Sequence, residues 1–439
     1  MELIVQPVVF GGIDWQSRAK LGVDLIPTSI ERAQKRLPEL QDAITDVQWR
    51  EMLEVNSPEE APRLVDAARE CDVVVALGTE LLVVIDAAKA LNAVSVPVII
   101  TGAEDFPGAF WADVYGSMKA DGADVYLAIN AADLQSQLAV LRAQAMLEST
   151  RALVIGEAWP SFSQVGNPSS PVVVEDALGA EVVLRSIADL RAKWEAADEG
   201  AAAALAAQWL ANAAEVDDSA RKDIDQCAKM YLAMDALLEE TGANALTVNC
   251  RAWDLISCDE FGTFISPCMG LTHLRWRRIP AACEADICAL MSMCVLNYVT
   301  GAPAFLGNIG NVYPERSSVR IGGHAACTVD MEGAGTPLEG YNLRDYGGRG
   351  GVASYLPIEA GRPVTIARFG KHFEQLSLAA GETVQTEQGF EVALGDVSDF
   401  MHRCLTGDHY IVAYGDHVEP IARLCERLDI EPLIPAAGA

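Results

Sequence analysis

Positive charge is scarce in this chain. Lys and Arg number 32 against 62 Asp and Glu, a formal net charge of −30. No run of five or more Lys/Arg occurs. Such a surface repels polyanions, so neither a nucleic acid nor an anionic membrane is expected as a partner. Long apolar runs are missing too. A membrane-spanning helix needs about 18 or more uninterrupted apolar residues, and no stretch of the sequence supplies them. The opening Met1–Gly12 has no basic n-region and no long apolar h-region, so it reads as a first β-strand rather than a signal peptide. These absences predict a soluble, cytoplasmic protein. The chain holds 11 Cys but no C-x-x-C, which argues against a zinc ribbon or an iron–sulfur cluster. Eight of the Cys lie between Cys227 and Cys327 and read as small buried hydrophobes kept reduced. Also absent are H-E-x-x-H, the phosphate-binding P-loop, G-x-S-x-G and G-x-G-x-x-G, and with them the signatures of those hydrolase, NTPase and dinucleotide mechanisms. No internal repeat of fixed period is found.

What is present is a long chain of ordinary globular composition. At 439 residues, 51 % apolar and 21 % charged, it exceeds one ordinary core. In residues 1–150 strand-like and helix-like runs alternate: Leu3–Phe10, then a helix over Thr28–Ile44 with Ser29 as its cap, a strand within Val47–Val55, and a helix start at Ser57-Pro-Glu-Glu60. Asp72–Leu77 and Val96–Thr101 are continuous apolar runs, typical of strands buried on both faces. Strand–helix repetition predicts a doubly wound parallel sheet. A second such cycle starts at Arg151–Gly156 and extends over 151–305, with the Ala-rich stretch Ala201–Ala214 read as an exposed helix and Ile287–Val299 as a buried one. In 306–439 the texture turns to Gly, Thr and short alternating strands, which predicts an antiparallel β domain closed by a final strand and helix. The expected fold is thus α/β, two doubly wound α/β domains followed by a β-rich third.

The residues that suggest chemistry cluster late in the chain. Pro280-Ala-Ala-Cys-Glu284-Ala-Asp286 places two carboxylates against the apolar segment that follows. An unpaired charge is costly beside a core element, so Glu284 and Asp286 require a partner, and a metal ion or sugar hydroxyls would serve. Of six His, three stand in informative places: His324 after Gly322-Gly323, His409 after Gly407-Asp408 at the head of a strand, and His417 at its exit. Oxygen and imidazole donors suit Mn²⁺, Mg²⁺ or another hard divalent ion. Two loops add substrate candidates. Trp159 follows the strand that ends at Gly156, where open α/β sheets bind ligands. Arg349 sits in the glycine-dense 347–351, with Arg344 nearby and Arg251 upstream as further partners for a single anion.

Ala245-Leu-Thr-Val-Asn-Cys250, Ile279–Asp286, Leu296-Asn-Tyr-Val-Thr-Gly301-Ala-Pro303, His324-Ala-Ala-Cys327, Tyr341-Asn-Leu-Arg344 and Asp408–Asp416, in this order and spacing, resemble the L-fucose isomerase-like superfamily, which includes the arabinose isomerases. The resemblance covers most of the chain and is strongest from about Ala245 onward. It implies two α/β domains, a C-terminal domain with a β-barrel element, and a homo-oligomer, trimer or hexamer, with sites near subunit contacts. It also implies Mn²⁺-dependent aldose–ketose isomerisation of a sugar through an ene-diol, with Asp286 and His409 as metal ligands. Between Cys250 and Glu260 the sequence departs from the family pattern, and Asp254, Asp259 and Glu260 stand open as the remaining ligand or base. On this view Glu284 or Asp254 takes the proton and His324 orients a hydroxyl. Two other outcomes suit the same residues: retro-aldol or decarboxylating chemistry on a sugar-acid derivative, and sugar binding without catalysis.

Overall fold

A computed structural model describes residues 2–11, 28–79, 84–102, 109–156, 171–250, 265–324, 326–345 and 351–436. The chain divides into two compact units, Met1–Arg142 and Ala143–Ala439. The sequence candidates Trp159, Arg251, Asp254, Asp259, Glu260 and Arg349 lie outside the described residues.

The first unit is a parallel sheet with helices on its faces. Its strands are β1 (Leu3–Phe10), β2 (Val47–Trp49), β3 (Leu53–Val55), β4 (Val73–Thr79), β5 (Val98–Thr101) and β6 (Val125–Ala128). They run β2-β1-β4-β5-β6, with β3 also on β1. The apolar runs are central here: Val73, Val74, Val75, Ala76 and Leu77 are all fully buried, as strands covered on both faces require. The expected single strand Val47–Val55 is two short ones, each laid parallel to β1. Thr28, not Ser29, caps the helix Ser29–Ala43. Its hydroxyl accepts from Glu31 N while the Glu31 carboxylate reaches back to Thr28 N, a capping box that Ser29 is one residue too late to form.

The second unit begins with a four-stranded parallel sheet of β7 (Arg151–Ile155), β8 (Glu181–Arg185), β10 (Ala245–Val248) and β11 (Ala281–Cys283), in the order β11-β10-β7-β8. The Ala-rich helix Glu199–Asn212 is not wholly exposed. Ala202, Ala206 and Trp209 recur at helical spacing and are buried in the core. Past the buried helix Ile287–Thr300, six strands close into an antiparallel barrel: β12 (Phe305–Tyr313), β13 (Ser318–Gly322), β16 (Pro363–Phe369), β17 (Gln375–Val384), β18 (Phe390–Leu394) and β19 (His409–Tyr414). The order is β16-β19-β12-β13-β18-β17, and β17 pairs back onto β16. A closed ring leaves no bare edge. The short β20 (Glu431–Leu433) adds to β17, and β9 (Glu215–Val216), β14 (Asn342–Arg344) and β15 (Ala353–Tyr355) form a small separate sheet. Phe305, Ile321, Ile366, Phe390, Val392 and Val412 fill the barrel from alternate positions.

One titratable group is locked in the α/β core. His273 stacks on Tyr231 at 4.4 Å, and its Nδ1 accepts from Trp209 Nε1 at 3.1 Å. Burial, helped by the Arg277 charge, lowers its pKa from 6.5 to about 4. The unfolded chain therefore binds this proton more readily. Stability is complete above pH 6.5 and lost as the pH falls towards 4, by roughly 2–4 kcal/mol from this residue. Thermal melts of the wild type and His273→Gln across this range should show a steeper acid loss for the wild type, and parallel profiles would refute the assignment.

Candidate metal centre

Each side chain of the site arrives on a different element. β11 ends at Cys283, and the chain turns sharply into the helix Ile287–Thr300. Glu284 and Ala285 both take left-handed backbone, at φ 62° and 54°. Such conformations cost of order 1–3 kcal/mol per residue and persist where surrounding bonds enforce them. Ala285 N is held by Val248 O at 3.2 Å and Asp286 N by Cys283 O at 3.1 Å. The turn throws Glu284 into the interior, where it is 5 % exposed.

Asp286 then caps the helix, its Oδ1 accepting from Ala289 N at 2.9 Å. The helix behind it is buried from Ile287 to Val299, as its apolar composition on every face demands. Asp286 Oδ2 accepts from Arg368 Nη1 at 2.9 Å and lies 2.8 Å from His409 Nδ1. Arg368 also donates to His409 O at 3.0 Å. None of the three is more than 3 % exposed. Burial pushes the Asp286 carboxyl up, but the Arg368 and His409 contacts outweigh it and hold the group well below the usual carboxylate range. Asp286 is therefore an anion that faces His409 Nδ1, and Nε2 faces the other way.

His409 Nε2 lies 3.6 Å from Glu284 Oε2. The third side chain comes from the barrel. β13 ends at Gly322, Gly323 turns the chain with φ 81°, and His324 brings its ring to 4.8 Å from the His409 ring, edge to face. One donor atom each from Glu284, His324 and His409 lies within 4.8 Å of the others. His409 Nε2 is buried and has no hydrogen-bond partner. A buried imidazole nitrogen aimed at a carboxylate and a second imidazole is costly unless a cation joins them. Two imidazoles and a carboxylate are a suitable donor set for a divalent transition ion. Asp286, expected as a ligand, reaches the cluster through His409. His324, expected to orient a hydroxyl, stands within it.

Other residues hold the frame. Arg275, fully buried, donates from Nε to Ala281 O at 2.8 Å and from Nη1 to Ala326 O at 2.9 Å. It thereby ties the strand before Glu284 to the segment after His324. Ser292 Oγ accepts from Phe369 N at 2.8 Å, fastening β16 to the buried helix. Asn308 stands opposite both His409 and Gly322 across β12, and its Nδ2 lies 3.5 Å from Asp408 Oδ2. Asp408 Oδ1 is shielded from water and accepts no hydrogen bond. Arg368, Arg275 and Asn308 do not stand out in the sequence as site residues. A signal for Arg368 was available: a lone cation inside the apolar strand Val364-Thr-Ile-Ala-Arg-Phe369 must find a buried anion.

Among known proteins the chain is similar to the sulfoquinovose isomerase of Clostridium sp. (strain MSTE9), at 24 % identity over 231 residues that cover 49 % of each protein. The chain spans about half the length of this curated relative. No family model matches the sequence.

Replacing Asp286 by Asn leaves Arg368 buried without its anion. Removing one partner of such a pair costs about 3–5 kcal/mol, and loss of the second bond to a ligating His typically weakens metal binding about 10- to 100-fold. Denaturant melts and metal titration of Asp286→Asn should show both losses.

Proposed function

We propose that this protein is a cytoplasmic, divalent-metal-dependent aldose–ketose isomerase acting on a sugar, with manganese as the ion. The observation that carries the reading is the buried, unpartnered His409 Nε2 facing Glu284 and His324. The similarity to a sulfoquinovose isomerase supports the reaction class, and a sulfonated hexose is the first substrate to test. Glu284, His324 and His409 would hold the ion. When bound, it would polarise adjacent sugar oxygens and ease the build-up of enolate charge.

The protein's own groups do the rest. Asp286 holds His409 through Nδ1, so that Nε2 is the nitrogen presented to Glu284 and His324. Arg368 holds Asp286 anionic and hydrogen-bonds the backbone of the same histidine, which fixes the ring's position. Isomerisation requires a proton to leave C2 and return at C1, and a carboxylate is the natural carrier. Asp408 is assigned this task, because it adjoins His409 and keeps one oxygen shielded and uncommitted. The surrounding barrel strands and buried helix exclude bulk water from the Asp286–His409 pair, which strengthens each polar contact. The assembly we assign is a homo-oligomer, trimer or hexamer.

The test is turnover with metal analysis. Protein purified without chelator, offered pentoses, hexoses, 6-deoxyhexoses and sulfoquinovose with Mn²⁺, should form ketose with conservation of mass, and chelation should abolish the activity. Glu284→Gln should lose metal and turnover together. Asp408→Asn should retain metal while turnover falls by about 10²- to 10⁴-fold. Bound metal with fragments or CO₂ as products would replace isomerisation by a cleaving reaction.

A further inference from the structure

The parallel sheet of the second unit ends in a strand with an open outer side. Among the described residues, β8 closes the order β11-β10-β7-β8 and pairs with β7 alone. Two bonds fix its inward side. Glu181 N donates to Thr150 O at 2.9 Å, and Gly156 N donates to Arg185 O at 2.8 Å. Backbone groups alternate along a strand, so those of Val182 and Leu184 face outwards.

This edge lacks the devices that keep sheet edges apart. β8 reads Glu181-Val-Val-Leu-Arg185, with no Pro and no Lys, and its register on β7 is unbroken. Leu184 is 59 % exposed, and Val172, on the helix Pro171–Leu178 that packs on β8, is 58 % exposed. Among the described residues these are the two most exposed large apolar side chains.

The strand is complementary to itself. Turned about a two-fold axis at Val183, it sets Val182 opposite the partner's Leu184, with the outward backbone groups of both facing each other. Glu181 then stands opposite the partner's Arg185, in the non-hydrogen-bonded position where side chains are closest. Centring the pair on Val182 or Leu184 would match neither charge with its opposite. The local partners of these two charges hold them weakly. Glu181 meets Arg151 at 2.9 Å, but both side chains are well exposed, and exposed pairs contribute little. Arg185 Nη2 reaches Glu240 at 3.7 Å, while Lys193 holds Glu240 at 2.6 Å. Arg185 Nη1 lies over the edge, donating to Leu184 O at 3.0 Å. Strand pairing would move that guanidinium from the carbonyl to the partner's Glu181.

We propose that β8 is an assembly surface on which a second copy of this chain lays its own β8 antiparallel, joining two four-stranded sheets across a two-fold axis. This rests on the assignment of a homo-oligomer and not on the isomerase reaction. The contact is isologous, so it builds assemblies with an even number of copies. Of a trimer and a hexamer, only the hexamer contains it.

The experiment is sedimentation of the full chain with cross-linking at the axis. The wild type should sediment as an even number of chains. In Val183→Cys two thiols face each other with about 4.5 Å between their Cα atoms, within disulfide range. Oxidised glutathione should therefore link two such chains through position 183, read by peptide mass mapping against the wild type treated alike. Leu184→Lys, and separately Glu181→Arg, should each raise the dissociation constant between copies about tenfold or more. An equimolar mixture of Glu181→Arg and Arg185→Glu should pair again, since each chain then offers the charge that the other lacks. Circular dichroism and thermal melts identify any variant that has simply misfolded. An unchanged constant in folded Leu184→Lys, an odd-numbered assembly, or an even-numbered one with no link through position 183 overturns this surface and leaves the homo-oligomer standing. A folded wild type that sediments as a monomer defeats both.

Discussion

The buried contact between Asp286, Arg368 and His409 is the constraint on which the second unit's site depends. Three charged or ionisable groups are taken out of water at one point, and the desolvation is offset only where the geometry of all three is met at once. Each comes from a separate element: the N-terminus of the buried helix, strand β16 and strand β19. The barrel must close and the helix must dock before any of them is satisfied. Sequence-distant pieces are thereby brought to a single register, and the site inherits its precision from the folding requirement.

A second expense is backbone strain. Two consecutive left-handed residues at Glu284 and Ala285 are unfavourable for side-chain-bearing amino acids. They are held by the carbonyls of Val248 and Cys283, at the carboxyl ends of adjacent parallel strands. The turn has a structural effect of its own: it lets residues 284 and 286 point to opposite tasks. Glu284 enters the donor cluster, while Asp286 caps a helix and anchors the imidazole behind it. Carboxylate ends of strands are where open α/β sheets place their chemistry, and here the barrel supplies the opposing wall.

Much of this was legible in the residues. The apolar segment after Asp286 reads as a buried helix, too short to span a membrane and ending at Gly301. The Glu284/Asp286 pair and His409 stood out because ionisable groups beside core segments need partners. The two roles within the Glu-Ala-Asp turn were not legible. Spacing alone places both carboxylates near the helix start, and the choice between them is made by backbone torsions that non-glycine residues rarely adopt. The stretch Ala201–Ala214 reads as exposed for a similar reason, although Ala202, Ala206 and Trp209 are buried. Alanine is equally at home on a surface and in a close helix contact, so its burial is decided by the neighbour.

The sequence by itself determined the alternation of elements, the change from α/β to β texture after Gly301, the acidic surface, and the short list of oxygen and nitrogen donors. Those properties reside in local propensity and hydrophobic period, which each segment carries alone. Tertiary structure decided which donors meet. Cross-strand register set His409, Asn308 and Gly322 in one row, and barrel closure brought Arg368 to Asp286. The physical reason is that side-chain convergence depends on pairing between segments far apart in the chain, and that pairing is a property of the packed whole.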